Sequence, residues 1–199
     1  LKANGEYDKI INKYIGTDDS TTTSTEDTSL FGLLKTNAPT LLNGLWNTIW
    51  ITFVSLAIAT IIGVLLGLMR TSRISVLETI ATIYIDFMRG IPLIVLTFFI
   101  YFGIPQALNI RLDATVAAIT TLGLNAAAYI AEIVRGGINA IDKGQSEAAM
   151  SLGLPYYKSM QKIILPQAIR LMVPSFINQF VITLKDTSIL SIIGLVELT

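Results

Sequence analysis

Polar and apolar residues are distributed very unevenly along this chain of 199 residues. Residues 1–16 place Tyr7 and Tyr14 on one face of a short predicted amphipathic helix. Residues 17–29 form a Ser/Thr/Asp run without an apolar residue, which cannot bury enough surface to fold and is typical of a linker. Apolar residues dominate from residue 30 onward, so the pattern predicts that residues 30–199 form a transmembrane domain.

The first long apolar segment, residues 48–69, contains no charged residue. A helix rises about 1.5 Å per residue, so this segment is long enough to cross a hydrocarbon core of about 30 Å. Trp46 and Trp50 lie at its start, as aromatic anchors do at a membrane interface. Arg70 and Arg73 follow its end, and the positive-inside rule therefore places that end in the cytoplasm and the N-terminus outside.

A second apolar segment, residues 77–102, is interrupted by polar and helix-breaking residues. Two interpretations stay open, because proline can either end or kink a helix. One is an interfacial helix to about Met88, a turn and a shorter membrane helix. The other is one long helix kinked at Pro92. Residues 109–113 form the predicted outer loop.

Two further spans are predicted, giving about four transmembrane helices in an all-α membrane protein. The third covers residues 114–140 and the fourth runs from about residue 169 past residue 184. The polar stretch 141–168 between them is predicted to be cytoplasmic, and its lysines agree with that side. The apolar piece 189–196 is interpreted as a re-entrant or surface segment.

Composition removes most enzyme classes. The chain has no Cys and no His, so thiolate chemistry, the commonest general base and the usual metal ligand are all missing. Its net charge of zero gives no reason to expect nucleic acid as a partner. No G-x-x-x-x-G-K-[ST] phosphate loop is present, so ATP hydrolysis by this chain is not expected. We expect no cofactor and no metal.

The cytoplasmic stretch contains the most informative motif. It reads Glu147-Ala148-Ala149, three residues, Gly153, nine residues, then Ile163-x-Leu165-Pro166. The pattern predicts a short helix over 144–152 that places Leu152 beside the small residues and Glu147 at the helix start, a second helix opened by Pro155, and a turn at Pro166 back toward the membrane. Gly153 suits the left-handed position after a helix.

This spacing resembles the EAA motif of importer permeases of the ATP-binding cassette class, at every defined position. The resemblance implies a type I importer permease bundle in which Glu147, Ala148, Ala149, Leu152, Gly153 and Pro166 couple the membrane helices to separate ATPase subunits. Other segments resemble the polar amino acid branch: Arg89-Gly90-Ile91-Pro92-Leu93, Phe98 to Gly103, Ala128 to Gly136, and Lys185 to Ser188.

The resemblance covers about residues 40–199 and carries further expectations. It implies a bacterial plasma-membrane importer of a polar amino acid such as glutamine, glutamate, arginine or histidine, with a second copy of the permease as homodimer partner. Family members have a fifth span, which is missing here. Residues 1–16 resemble the last helix of an extracellular substrate-binding domain, which would be fused upstream through the linker 17–29.

Several charged or polar residues fall at predicted membrane depth, where an isolated charge costs at least about 2.5 kcal/mol. Glu132 and Arg135 are three residues apart and are expected to pair on one helix face, either as a structural ion pair or as part of the substrate pathway. Lys185 and Asp186 are alternatively assigned to the outer mouth. The complete set of pathway candidates is Asp86, Arg89, Asn125, Tyr129, Glu132, Arg135, Lys185 and Asp186.

Two other classes of protein remain as alternatives. A secondary transporter of small polar solutes would favour internal repeats with broken helices, and no convincing repeat is visible. An intramembrane enzyme without His or Cys would need a Ser/Lys or paired-Asp arrangement, for which only Lys185 and Ser188 come close.

Overall fold

The computed structural model describes residues 30–72 and 74–195. The predicted N-terminal helix, the linker, Arg73 and the end of the apolar piece 189–196 lie outside the described residues. The chain divides into two units, Leu1–Thr40 and Leu41–Thr199. The described part of the first unit is the beginning of the first helix, and the functional residues discussed below all belong to the second.

Six helical elements account for most of the described chain. Three of them are long and apolar enough to cross a membrane, and a fourth span results if one bent pair counts as one. The expectation of an all-α membrane protein with about four spans is therefore confirmed for the described residues. The elements are α1 (Leu30–Arg70), α2 (Ser75–Gly90), α3 (Leu93–Leu108), α4 (Ala114–Asn139), α5 (Lys143–Ser151) and α6 (Tyr156–Ile193).

Helix α1 packs against α4 through a stripe of small residues. Thr52, Ser55 and Ala59 are fully buried at helical spacing, and the stripe continues with Gly63 and Gly67. A Cβ on Gly63 would lie 2.7 Å from the backbone oxygen of Ala127 in α4, so only glycine permits this approach. Small residues bring membrane helices close enough for backbone contact, which is how α1 is held without a hydrophobic driving force between the helices.

Helix α4 is the centre of the bundle and packs against α2, α3 and α6. Its buried residues are mostly alanine and small side chains, which lets several helices surround it. Asp113 caps its start by accepting a hydrogen bond from the Thr115 amide at 2.8 Å. That bond holds the pKa of the Asp113 carboxyl below its usual range, because it favours the ionised form.

Helices α2 and α3 are separate helices bent by 102° at a short break. Ile91 is extended, as the residue before a proline prefers, and Pro92 opens α3. The structure therefore selects the helix–turn–helix interpretation over a single kinked helix. The Tyr84 hydroxyl donates to the Leu124 carbonyl oxygen at 2.9 Å and ties α2 to α4.

The predicted turn at Pro166 is wrong. The chain stays helical from Tyr156 to Ile193, through a π turn at Met160–Ile164 and a 3-10 end at Thr187–Ile193. A proline lacks the amide hydrogen and crowds the preceding turn of an α-helix. The π turn just before Leu165–Asp186 widens the backbone, so Pro166 enters as the second residue of that segment without ending the helix.

Candidate functional site

A cavity of about 480 Å³ with both polar and apolar residues on its wall lies where the α2–α3 turn meets α4 and α6. This volume falls in the range of small-molecule sites. The turn contributes five consecutive residues because its extended backbone exposes the end of α2, and α4 and α6 contribute side chains one helical turn apart. The lining residues are Arg89, Gly90, Ile91, Pro92, Leu93, Asn125, Tyr129, Gln179, Ile182 and Asp186.

Half of the predicted pathway residues line this cavity. Arg89, Asn125, Tyr129 and Asp186 come together there from three different helices. The structure does not bring the other four predicted residues to the cavity wall. Lys185 is exposed and directly precedes the cavity residue Asp186 in sequence. Asp86, Glu132 and Arg135 lie in a neighbouring ion cluster.

The cavity offers both charges and amide groups. Arg89 supplies a cation from the turn and Asp186 an anion from α6, while Asn125 and Gln179 supply largely buried amides. Gln179 donates from Nε2 to the Thr183 hydroxyl at 3.3 Å, which orients its side chain. A solute that carries separate positive and negative groups would find a partner for each.

The ion cluster is centred on Glu132. Its carboxylate accepts hydrogen bonds from Arg70 of α1 and from Arg135, the latter at 2.9 Å, and Arg89 lies 3.7 Å away. The predicted pairing of Glu132 with Arg135 is thus confirmed. Asp86 adds a second acid, 3.8 Å from Arg70. The cluster joins α1, α2 and α4. The mostly enclosed carboxylate of Glu132 has cationic partners on all three helices, as a charge in that position requires.

Arg89 belongs to both the cavity and the ion cluster. Its guanidinium carbon lies 5.4 Å from the centre of the Tyr129 ring, within cation–π range. Its side chain is 41% exposed, whereas that of Glu132 is 18% exposed. Arg89 is therefore an exposed cation of the cluster, and the one that also lines the cavity.

The Glu147–Gly153 motif forms a capped helix and a sharp turn. Asp142 accepts from the Gly144 amide at 2.6 Å and starts α5, so Glu147 lies in the second turn and not at the helix start as predicted. At the other end Gly153 has φ +81°, and the amides of Gly153 and Leu154 bond to Met150 and Ala149. This confirms the predicted left-handed conformation of Gly153.

The motif residues divide between the core and the surface. Ala149 is buried within its own chain, whereas Ala148 and Glu147 are exposed. Leu152 is 81% exposed and Tyr157 is 72% exposed, which is unusual for large apolar side chains. Pro166 is also exposed, one helical segment further on. Exposed apolar residues therefore lie close to the acid in sequence, while the buried Ala149 packs α5 against the rest of the molecule.

Three residues of the cavity and the ion cluster were not predicted from the sequence. Gln179 and Ile182 line the cavity, and Arg70 bonds to Glu132 in addition to marking the end of α1. A signal for Gln179 exists in retrospect, because Gln179, Thr183 and Asp186 are polar residues at helical spacing in an apolar segment. The role of Arg70 depends on a contact across 62 positions, which no local pattern contains.

Comparison with known proteins gives consistent matches over most of the chain. Residues 36–199 match the family model described as binding-protein-dependent transport system inner membrane component. The arginine transport system permease protein ArtQ of Bacillus subtilis is 43% identical over 157 residues, covering 79% of this chain and 72% of ArtQ. The glutamine transport system permease protein GlnP of Escherichia coli K12 is 42% identical over 162 residues, covering 81% and 74%.

Solved structures share the architecture. An amino acid ABC transporter crystallised with histidines superimposes with a TM-score of 0.80 at 37% identity, covering 84% of this chain and 78% of that chain. The MetNI methionine ABC transporter in an inward-facing conformation gives a TM-score of 0.62 at 25% identity, covering 75% and 72%. The match to an ABC permease agrees with the bundle expected from the motif.

Proposed function

Because the chain belongs to the family of binding-protein-dependent transport system inner membrane components, we propose that it is the permease of an importer for a polar amino acid, driven by ATP hydrolysis in partner subunits. The family membership itself confirms the resemblance derived from the EAA motif. It also leaves the alternative of a secondary transporter without a supporting observation.

The observation that carries the amino acid assignment is the cavity with Arg89 and Asp186 on its wall. An amino acid presents a carboxylate and an ammonium group, and charge-assisted hydrogen bonds to both are stronger than neutral ones. Asn125 and Gln179 add amides that suit a polar side chain. The relatives named for arginine and glutamine transport support the same substrate class.

Coupling to the ATPase is assigned to the α5 region. Glu147, Ala148 and Leu152 are exposed there, and an apolar patch rimmed by polar residues is typical of a protein interface. Gly153 and the buried Ala149 set the direction of the helix that carries this patch. In this proposal the exposed members contact the ATPase, while Pro166 belongs to the helix that receives the movement.

The assembly we propose is a homodimer in the bacterial plasma membrane, with an N-terminus outside the cell and a receptor domain fused upstream. Helix α6 supports the dimer, because it exposes large apolar side chains such as Ile177 and Phe180 next to the cavity-lining residues. Residues 1–29 are assigned to the receptor end and the linker from the sequence alone. Native mass spectrometry of the purified complex would show two permease copies, and a single copy would contradict the dimer.

Uptake into proteoliposomes tests the function directly. The permease, reconstituted with its ATPase and receptor, is expected to accumulate radiolabelled L-arginine or L-glutamine only when ATP is supplied on the ATPase side. Asp186→Asn should lower uptake by about tenfold to a hundredfold, since loss of a hydrogen bond to a charged group costs about 1.5–3 kcal/mol. Receptor binding, measured by calorimetry, should stay unchanged.

Lys185→Gln is the matched comparison. Lys185 neighbours Asp186 in sequence but does not line the cavity, so its substitution should leave uptake within about twofold, as expected of a surface position. Equal losses in the two variants would assign the effect to the helix end and would remove Asp186 from the pathway.

A further inference from the structure

Glu132 pairs with arginines that line two different cavities. Arg89, on one side, lines the 480 Å³ cavity at the α2–α3 turn. Arg70 and Arg135, on the other side, line a second polar cavity of about 510 Å³ together with Thr71, Ser72, Glu78, Thr82 and Asn139. All three arginines have Glu132 as their common anion. A change in the bond between Glu132 and an arginine of one cavity therefore alters the ion pairs of the arginine or arginines on the wall of the other cavity.

The three bonds are not equivalent. Arg70 and Arg135 bond to Glu132 within hydrogen-bond distance, whereas Arg89 stands off at 3.7 Å and has only the ion pair. Arg89 is also the most exposed of the three, at 41% against 19% for Arg70 and 38% for Arg135. When Arg89 leaves, Glu132 keeps two cationic partners and is not stranded as an unpaired buried charge.

Arg89 is also held on the cavity side. In the same position its guanidinium lies over the Tyr129 ring, which lines the cavity and attracts a cation whether or not Glu132 is engaged. A carboxylate entering this cavity would offer a charge-assisted, bidentate bond that the 3.7 Å contact to Glu132 does not provide. The exchange needs only a side-chain movement, because Arg89 lies in the last turn of α2, one residue before the helix ends at Gly90.

We propose that Arg89 is an exchangeable cation that a substrate carboxylate draws away from Glu132, so that occupancy of the cavity loosens the tie between α2 and α4. Arg89 then acts as a substrate ligand and Glu132 as a positioning residue that never touches substrate. This inference rests on the proposed amino acid permease function. In this proposal the ion cluster transmits the presence of substrate in the cavity to the cytoplasmic ends of α1 and α4, where Arg70 and Arg135 lie.

The test uses the complete transporter in nanodiscs, with ATPase rates measured without substrate and with saturating L-arginine or L-glutamine. Glu132→Gln should raise the rate without substrate about two- to fivefold, which corresponds to the modest energy of a partly exposed ion pair, and should still transport. Arg89→Gln should raise the same rate but abolish further stimulation and uptake, because it removes the ligand as well as the tie. Arg89→Lys should retain stimulation.

Two further variants keep the result interpretable. Glu132→Asp preserves the charge while shortening the reach toward Arg89, and should raise the substrate-free rate in the same direction if Glu132→Gln does not fold. Arg111→Gln removes an exposed arginine of the outer loop and should leave every rate unchanged. Receptor affinity, measured separately, should be the same in all variants.

A purely structural ion pair gives a different pattern. Folded Glu132 and Arg89 variants whose substrate-free rates stay at or below the wild-type rate would overturn the exchange, as would normal stimulation in Arg89→Gln. A wild-type transporter that is stimulated by none of L-arginine, L-glutamine, L-glutamate and L-histidine would instead contradict the proposed function. The elevated substrate-free rate of Glu132→Gln could then still be measured, so the two failures are distinguishable.

Discussion

Gly63 and Gly67 determine how closely α1 approaches α4. At Gly67 an added Cβ would lie 2.6 Å from Cβ of Val134 and 2.8 Å from the Ala131 oxygen, and Gly63 meets backbone in the same way. Backbone atoms cannot rotate aside as a side chain can, so the helices would have to separate. The interface is thus specified by the absence of atoms at two positions.

Gly63→Ala is expected to destabilise the protein by about 1–3 kcal/mol, the usual cost of overpacking, despite the better helix propensity of alanine. Gly136→Ala is the matched control, because Gly136 is also helical but an added Cβ meets nothing within 4 Å. Its melting temperature in detergent should stay level or rise slightly. A Gly63→Ala protein that melts at or above the wild-type temperature would show that α1 and α4 can separate without loss.

Gly153 is required for its backbone conformation and not for space. Its φ is +81° and no atom lies within 4 Å of the position that a Cβ would occupy, so Gly153→Ala meets strain of about 1–2 kcal/mol and no clash. Under the coupling proposal this variant should lower substrate-stimulated ATPase and uptake together. Gly153→Asn should retain most of both, since asparagine tolerates the left-handed region. Equal losses in the two variants would point to the side chain and away from the backbone.

Residue-scale properties were predictable where they depend on local rules. The left-handed Gly153 and the Glu132–Arg135 pair both follow from spacing within one helix, and both are confirmed. The wrong position assigned to Glu147 has a local cause too, because Asp142 was available as an N-terminal cap and starts the helix one residue earlier than predicted. Arg70 could not be assigned, because its partner lies on a distant helix.

At the scale of elements, α5 allows packing to be tested separately from the proposed docking. Ala148 and Ala149 are neighbours of the same size, but Ala149 is buried and Ala148 is exposed. Ala148→Trp should therefore weaken co-purification with the ATPase while leaving the melting temperature of the isolated permease unchanged. Ala149→Trp should lower that melting temperature, because a large ring must enter the packed interior.

The comparison of these two variants decides whether each alanine acts in docking to the ATPase or in packing within the permease. Normal ATPase association in a stable Ala148→Trp protein would contradict docking through this face of α5. Loss of association in Ala149→Trp alone would indicate that the motif's second alanine acts through the fold.

The elements themselves were predictable to different degrees. The apolar runs gave α4 almost to the residue, because it is bounded by polar residues on both sides. The α2–α3 bend depended on how the chain continues after Pro92, which the sequence left open. Pro166 was misread because a π turn in the preceding residues, invisible in the sequence pattern, absorbs the proline within a continuing helix.

For the whole molecule, the topology proposal places residues 109–113 outside and α5 inside. The chain has no cysteine, so a single introduced thiol reports its own side of the membrane. In intact cells a membrane-impermeant maleimide should label Ile110→Cys, an exposed position in the loop before α4. Gln145→Cys, exposed on α5, should be labelled only after permeabilisation. The opposite pattern would invert the orientation deduced from the positive-inside rule.

Helix α6 runs without a break in helicity from the residues that follow α5 to the cavity at the α2–α3 turn, so the same element carries Tyr157 at one end and Gln179 and Asp186 at the other. At about 1.5 Å per residue, Tyr157 and Gln179 are some 33 Å apart along the axis, and a tilt of about 5° would displace one end by roughly 3 Å relative to the other. The arm is jointed, however, because the π turn before Leu165 and the internal Pro174 each interrupt the regular ladder of backbone bonds. A force applied at the Tyr157 end of α6 would bend the helix mainly at those two positions. The regular helical segment between them would then move as one rigid unit.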